Sequence, residues 1–130
     1  MKRLTFFNSI VPLKSKVLES TIGQVKIDSR GVEKGDIFIA IRGGNAYVED
    51  VLKKGAALVF YDDLKVKTTD KRAIYVKNSI EFMQEAAKQY RETLDVKIIG
   101  ITGSEGKTST KDILYSILSE KYIGKKICYF

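Results

Sequence analysis

Histidine and tryptophan are absent from this 130-residue sequence, and proline and cysteine occur once each. Without histidine, the chain offers no imidazole for acid–base catalysis or metal binding. The single Cys128 excludes a disulfide within the chain and fits a reducing compartment. No apolar run approaches the roughly 20 residues that cross a bilayer, and the N-terminal segment lacks the features of a signal peptide. The sequence therefore predicts a protein that does not insert into membranes.

Charge of both signs is abundant, with 23 Lys and Arg against 16 Asp and Glu and a formal net charge of +7. The lysines are spread along the chain instead of forming a block interleaved with aromatic residues. This distribution favours a lysine-rich surface over a nucleic-acid groove. We therefore predict no nucleic-acid partner, while small polyanions such as nucleotides remain compatible with the charge.

Apolar stretches typical of strands alternate with stretches typical of helices. Strands are predicted around Val25 and Ile27, at 37–41, at 57–61 and at 72–77. A short helix between the second and third strands should end at Gly55. Asn78, followed by Glu81, predicts the cap of a second helix. The stripe expected to face the core on that helix consists of Ile80, Met83, Ala87, Tyr90 and Leu94. This alternation predicts a compact α/β domain.

A boundary is predicted near Leu94–Lys97, followed by one strand, one loop and one helix. The strand is the apolar run "IIGIT" at 98–102, and the helix is "STKDILYSILSEKY" at 109–122, ended by Gly124. The apolar face of the helix comprises Ile113, Leu114, Ile117 and Leu118. One strand and one helix cannot bury both faces of a sheet, so this segment predicts the start of a further domain.

The loop between that strand and helix has the composition of a phosphate-binding loop. Gly103 and Gly106 allow backbone amides to approach oxygen atoms, and a helix starting near Thr108 adds its positive end. Lys107 can reach the outer phosphates of ATP, and the Thr108 hydroxyl can ligate Mg²⁺. The strict Walker spacing is not met, because Gly100 stands one position off and leaves the shorter G-x-x-G-K-T. The flanking strand and helix favour ATP binding over a chance glycine turn. The predicted ATP-binding residues are Gly103, Ser104, Glu105, Gly106, Lys107, Thr108 and Ser109.

Glu105 places a negative charge inside this predicted anion-binding loop. A carboxylate facing the phosphates would weaken nucleotide binding by Coulomb repulsion. At the tip of the loop, the same side chain can point to solvent or toward the base or ribose. We favour the outward orientation.

Three separated blocks, "DSRGVEKGDIFIAIRGG", "VLKKGAALVFYDD" and "TGSEGKTSTKD", resemble the Mur ligase family over residues 23–122. These bacterial cytoplasmic enzymes use ATP to add amino acids to the UDP-muramoyl peptide precursor of the cell wall. The resemblance implies a small N-terminal α/β domain, residues 1–95, that binds the UDP-MurNAc-peptide substrate. It also implies that residues 96–130 form the first strand, phosphate loop and helix of an incomplete Rossmann-like ATP-binding domain.

The resemblance further implies the residues of the substrate site. Ser29 and Arg30 of "DSR" and the turn of Gly43, Gly44 and Asn45 match blocks at the UDP site of the family. Hydroxyl, guanidinium and glycine amide donors suit a diphosphate or a uracil edge. The alternative is that Asp28 and Arg30 form a local ion pair and that the glycines only shape a turn. The same resemblance implies that Lys107 and Thr108 are the catalytic residues of this chain.

Within the family, the phosphate loop is most similar to that of the ligase joining D-alanyl-D-alanine to UDP-MurNAc-tripeptide through an acyl phosphate. The alternatives are the ligase adding the third residue to UDP-MurNAc-dipeptide and a non-catalytic nucleotide-sugar-binding module; a small phosphate-loop kinase or GTPase fits worst. The family commonly has asparagine where Glu105 stands. Because the remaining family domains are absent from the sequence, we expect no ligase activity from this chain alone. Self-association through exposed strand edges is a further expectation.

Overall fold

The computed structural model describes residues 23–123 and Ile127, and the chain divides into two compact units, Met1–Leu94 and Asp95–Phe130. The predictions that concern Gly124 and Cys128 lie outside the described residues. The ligands that the sequence assigns to the two units remain predictions.

A four-stranded sheet, parallel throughout, organises the first unit. Its strands follow chain order and are β1 (Val25–Lys26), β2 (Ile37–Ile39), β3 (Leu58–Tyr61) and β4 (Ala73–Tyr75). The register pairs Val25 with Ile37, Ile37 with Leu58 and Val59 with Ala73. Each predicted strand of this unit is present in a shorter form, and the predicted α/β class is confirmed.

One helix and two 3-10 turns connect the first three strands, and a second helix follows β4. The helices are α1 (Val48–Lys53) and α2 (Ser79–Glu92), and the turns are Ser29–Gly31 and Gly44–Tyr47. Gly55 terminates α1 as predicted, with φ of 91° and its N–H donating to the Leu52 carbonyl at 3.0 Å. The predicted cap of α2 is also confirmed, because Asn78 Oδ1 accepts from the backbone N–H groups of Ile80 and Glu81.

Both faces of the sheet are buried, which explains why β2 and β3 read as continuous apolar runs. The cluster on the α2 side contains Ile37, Ile39, Leu58, Phe60, Val76, Phe82 and Ala86. The cluster on the α1 side contains Val32, Phe38, Ala40, Val48, Val51, Leu52, Ala56 and Val59. Alternate residues of β2 and β3 therefore enter opposite clusters.

The predicted core face of α2 is right in part, because Met83 packs against the core, but the centre of the buried face lies elsewhere. The buried positions are Ser79, Phe82 and Ala86, whereas Ile80 is 40% exposed and Ala87 is exposed. Consecutive helical residues differ by about 100° in direction, so the buried face is rotated by roughly one residue from the prediction. The cap at Asn78 and the packing of the Phe82 ring against Phe60, with centroids 4.3 Å apart, fix the observed phase.

The second unit contains the helix α3 (Lys107–Lys121). The strand predicted at 98–102 is wrong, because no strand forms among residues 95–106. The apolar face of the helix is partly covered, since Leu114 and Leu118 are half-buried, whereas Ile113 and Ile117 are more than half exposed, as are Ile98 and Ile99. A strand requires a hydrogen-bonding neighbour, and the described part of this unit provides none. No helix within residues 23–123 is both long and apolar enough to span a membrane.

Candidate functional site

The carboxyl ends of parallel strands lie at one edge of a sheet, which is where open α/β sheets bind ligands. In the first unit this edge carries the turn after β2, the Asp62–Asp63 pair after β3, and the start of α2 after β4. The sequence-predicted residues Gly43, Gly44 and Asn45 all belong to the first of these segments. The edge is therefore the candidate substrate site of the unit.

The two glycines of the turn after β2 are needed for different structural reasons. Arg42 and Gly43 adopt consecutive left-handed conformations, with φ of 46° and 86°. A Cβ atom on Gly44 would lie 3.3 Å from Cζ of Phe38, so the backbone there packs closely on the core. By contrast, no heavy atom lies within 4 Å of a Cβ built on Gly43. The glycines thus shape the turn, and the backbone at Gly43 stays open to a ligand.

Asn45 is held by Asp62. Its Nδ2 donates to Asp62 Oδ1 at 2.8 Å, and its Oδ1 accepts from the Asp62 backbone N–H at 3.2 Å. The second carboxylate oxygen of Asp62 accepts from the Ser79 backbone N–H at 2.9 Å. Burial alone would raise the pKa of Asp62, but the hydrogen bonds from Ser79 and Asn45 outweigh it, so the pKa lies below its usual value. Asp62 was not among the sequence-predicted residues.

An open cavity of about 600 Å³ lies beside this turn. Its lining comprises Gly43, Asn45, Ala46, Val48, Glu49, Asp63, Lys65, Val66 and Lys67. The volume lies within the range of about 300–1,000 Å³ that is typical of small-molecule sites. Lys65 and Lys67 add two cations that sequence reasoning missed, because they belong to no motif. The only sequence feature that pointed to the segment after β3 was its acidic pair, Asp62 and Asp63, directly after a buried strand.

The "DSR" segment forms the 3-10 turn after β1. Asp28 caps this turn and binds Arg30 through both carboxylate oxygens, with Arg30 Nη2 to Oδ2 at 2.7 Å. The hydrogen bond from Arg30 lowers the pKa of Asp28 to about 2. The Lys54 ammonium donates to the Ser29 carbonyl at 2.7 Å. The local ion pair considered as the alternative therefore exists in this structure.

Arg30 nevertheless remains accessible, since its side chain is 89% exposed. Its pKa is raised, chiefly by the hydrogen bond with Asp28 and to a smaller extent by Tyr47 of the second 3-10 turn. Ser29 and Arg30 do not line the cavity, whereas Gly43 and Asn45 do.

Acid is expected to destabilise the first unit below about pH 4. The pKa of each of Asp28, Asp62 and Asp70 is lowered in the folded chain. A carboxylate whose pKa is lowered by folding stabilises the fold fully above the pKa of the unfolded chain, about 4. This stabilisation is lost as the pH falls through the pKa of the folded chain, which for Asp28 is about 2. Urea midpoints measured between pH 7 and pH 2 test this. Asp28→Asn should flatten the profile, and an unchanged profile in that variant would contradict the assignment to Asp28.

The predicted phosphate loop precedes α3 in the second unit. Gly103 and Gly106 have φ of 154° and 72°, and Gly106 is the N-cap residue of the helix. The first turn of α3 has neither a side-chain cap nor an acidic residue, so its positive end is not neutralised locally. The Lys107 ammonium donates to the carbonyl oxygens of Gly103 and Ser104.

The residues of this loop and of the start of α3 suit a nucleoside triphosphate with magnesium. Uncapped backbone N–H groups at the start of α3 and the exposed Lys107 provide donors and positive charge for phosphate. The Thr108 hydroxyl, also exposed, is a suitable oxygen ligand for Mg²⁺. Glu105 is exposed as well, and no described contact ties it to the loop.

A parallel α/β unit with an open glycine turn at its carboxyl edge, followed by a glycine loop and helix, is typical of nucleotide-dependent enzymes. The family profile described as "Mur ligase family, catalytic domain" matches residues 21–91. This match covers more than half of the chain. The chain belongs to the Mur ligase family.

Several curated proteins are similar to the chain. It is 42% identical over 104 residues to UDP-N-acetylmuramoyl-tripeptide–D-alanyl-D-alanine ligase of Rickettsia prowazekii, covering 77% of this chain and 23% of that protein. It is 33% identical over 109 residues to the Bacillus subtilis ligase of the same name, covering 80% and 24%. It is 33% identical over 125 residues to UDP-N-acetylmuramoyl-L-alanyl-D-glutamate–2,6-diaminopimelate ligase of Cytophaga hutchinsonii, covering 90% of this chain and 26% of that protein. The chain thus spans about a quarter of the length of these relatives.

Solved structures agree with the sequence relatives. The crystal structure of MurF ligase from Thermotoga maritima in complex with ADP superimposes with a TM-score of 0.69 at 26% identity, covering 84% of this chain and 25% of that one. Crystal structure II of MurF from Acinetobacter baumannii gives a TM-score of 0.75 at 25% identity, covering 91% and 27%.

Proposed function

We propose that the chain provides the substrate-binding unit and the phosphate loop of an ATP-dependent amide-bond ligase that adds D-Ala-D-Ala to UDP-MurNAc-tripeptide. The observation that carries this proposal is the 42% identity to the Rickettsia prowazekii ligase. Two further relatives of the same kind, one by sequence and one by structure, support it. The reaction belongs to peptidoglycan precursor synthesis in the bacterial cytoplasm.

In this proposal the first unit binds the UDP part of the substrate at the carboxyl edge of its sheet. The open backbone of Gly43 and the donors of Asn45 line the cavity there. The exposed guanidinium of Arg30 provides a charge-assisted donor for a phosphate, with Ser29 beside it. Gly44 allows the turn to lie close against Phe38.

The second unit contributes the loop from Gly103 to Ser109, including Ser104 and Glu105, to ATP. Lys107 would contact the outer phosphates, Thr108 would bind Mg²⁺, and the start of α3 would bind phosphate through its N–H groups. ATP, when bound, supplies the phosphoryl group that activates the substrate carboxylate as an acyl phosphate for amide formation. The role of this chain is to hold and neutralise the phosphate charge.

A second candidate is the ligase that adds the third peptide residue to UDP-MurNAc-dipeptide. It is favoured by the 33% identity to the Cytophaga hutchinsonii ligase, which extends over 90% of this chain. Because both substrates share the UDP part that the first unit is proposed to bind, amide formation by the complete enzyme, assayed with UDP-MurNAc-tripeptide and with UDP-MurNAc-dipeptide, distinguishes the two. Turnover of the tripeptide supports the first candidate, whereas turnover of the dipeptide favours the second. Amide formation by the chain alone would contradict its proposed role as one part of the enzyme.

Arg30→Ala is expected to weaken binding of UDP-MurNAc-tripeptide about tenfold, because it removes a charge-assisted hydrogen bond to phosphate. The side chain is exposed, so the fold should be retained. Arg91→Ala, which alters an exposed arginine on α2, is the matched control and should bind like the unsubstituted chain. Equal affinities of all three proteins would remove Arg30 from the substrate site.

A further inference from the structure

Asp62, directly after β3, is hydrogen-bonded to two segments at the carboxyl edge of the sheet, the turn that contains Asn45 and the start of α2 at Ser79. Its Oδ1 accepts from Asn45 Nδ2, its backbone N–H donates to Asn45 Oδ1, and its Oδ2 accepts from the Ser79 backbone N–H. Ser79 is fully buried at the start of α2. One partly buried side chain thus fixes the glycine turn against both a central strand and a helix.

This arrangement also determines which way the Asn45 amide faces. Its oxygen must accept from the Asp62 backbone, so its nitrogen must donate to the Asp62 carboxylate. A carboxamide nitrogen carries two hydrogens, and only one is used by this bond. Since Asn45 lines the cavity, the second hydrogen supplies a donor at the cavity wall. A donor there suits the oxygens of a uracil or a diphosphate.

We propose that Asp62 is a positioning residue that holds the turn of Gly43, Gly44 and Asn45 in the conformation that receives the UDP part of the substrate. This inference rests on the function proposed above. It assigns to Asp62 no contact with the ligand. Its influence passes through Asn45 and through the backbone of the turn.

A reciprocal exchange provides the test. In Asp62→Asn, two carboxamides face each other. Whichever way each carboxamide is flipped, one of the three donors (the side chain at position 45, the backbone N–H of residue 62 or the backbone N–H of Ser79) loses its acceptor. In Asn45→Asp, two carboxylates face each other and repel. When both substitutions are combined, the amide at position 62 can donate to the carboxylate at position 45 and accept from Ser79. The double variant can therefore restore all three hydrogen bonds, with the donor and acceptor exchanged only in the bond between the two side chains.

The first readout is hydrogen exchange of the Gly44 and Ala46 amides, which bond the carbonyls of Ile41 and Gly43 within the turn. We expect exchange about tenfold faster in each single variant and near the original rate in the double variant. The second readout is the affinity for UDP, measured where circular dichroism shows every variant folded. It should weaken roughly tenfold in Asp62→Asn, whereas the two variants that change Asn45, which itself lines the cavity, are judged by hydrogen exchange alone.

Asp70→Asn is the matched control. Asp70 pairs with Arg72 before β4 and has no contact with the turn, so its loss should lower the melting temperature without changing either readout. If the unsubstituted chain fails to bind UDP, the proposed function and the ligand role of the turn are both overturned. If it binds and Asp62→Asn binds equally well, the positioning role alone is overturned. A double variant whose turn amides exchange as fast as those of the single variants also overturns it.

Discussion

Phe60→Ala is expected to lower the free energy of unfolding of the first unit by about 3–5 kcal/mol. Phe60 lies in the middle of β3 with no exposed surface, and its ring contacts that of Phe82 on α2 at a centroid distance of 4.3 Å. The substitution removes the aromatic contact and leaves a cavity between sheet and helix. Because a small domain is stable by only about 5–15 kcal/mol, the substitution should remove a large fraction of the stability of the unit.

Urea denaturation followed by far-ultraviolet circular dichroism measures this effect. Leu64→Ala is the control, because Leu64 is 79% exposed and its loss should change the free energy of unfolding by about 0.5 kcal/mol or less. A midpoint for Phe60→Ala within error of the unsubstituted chain would show that the contact between β3 and α2 does not stabilise the unit.

Lys107→Ala is expected to weaken binding of Mg-ADP by about 30-fold or more, through two effects. The first is the loss of a positive charge beside the phosphates. The second is the loss of the hydrogen bonds from the ammonium to the carbonyls of Gly103 and Ser104, which hold the loop in shape. Lys111→Ala, one turn further along α3, serves as the control and should bind nearly normally. Tight binding that is indifferent to Lys107→Ala would remove the loop from the nucleotide site.

Glu105→Asn should act in the opposite direction and tighten Mg-ADP binding, because it removes a negative charge from the loop. Raising the ionic strength should shrink the difference, since screening weakens the repulsion between exposed charges. Calorimetry at two salt concentrations therefore complements the lysine variants. Unchanged affinity at low salt would show that the Glu105 carboxylate lies away from the phosphates.

The first unit was largely predictable from local chemistry. Unbroken apolar runs indicated the buried strands, and Gly55 and Asn78 marked helix ends whose geometry the structure confirms. The phase of α2 was not predictable, because both Ile80 and Phe82 are apolar and periodicity could not choose between them. The choice depends on where the helix docks, and that is fixed by contacts distant in sequence, such as Phe60 with Phe82.

The candidate site shows the same division. The glycines of the turn and the "DSR" segment were recognisable because they match short sequence blocks of the family, whereas their local chemistry alone also allowed a simple turn and ion pair. The link between Asp62 and Asn45 and the contribution of Lys65 and Lys67 to the cavity were not recognisable, because they arise when the ends of β2 and β3 meet. In the second unit, the apolarity of 98–102 predicted a strand that the described residues do not form, since strand formation depends on a partner that a local pattern cannot supply.

The strand order of the first unit has a consequence for how the protein is made. Every strand pairs with the strand next to it in the chain, so each new strand finds its partner already synthesised. We therefore expect this unit to assemble strand by strand during synthesis and to be complete soon after α2 leaves the ribosome, before the phosphate loop has emerged.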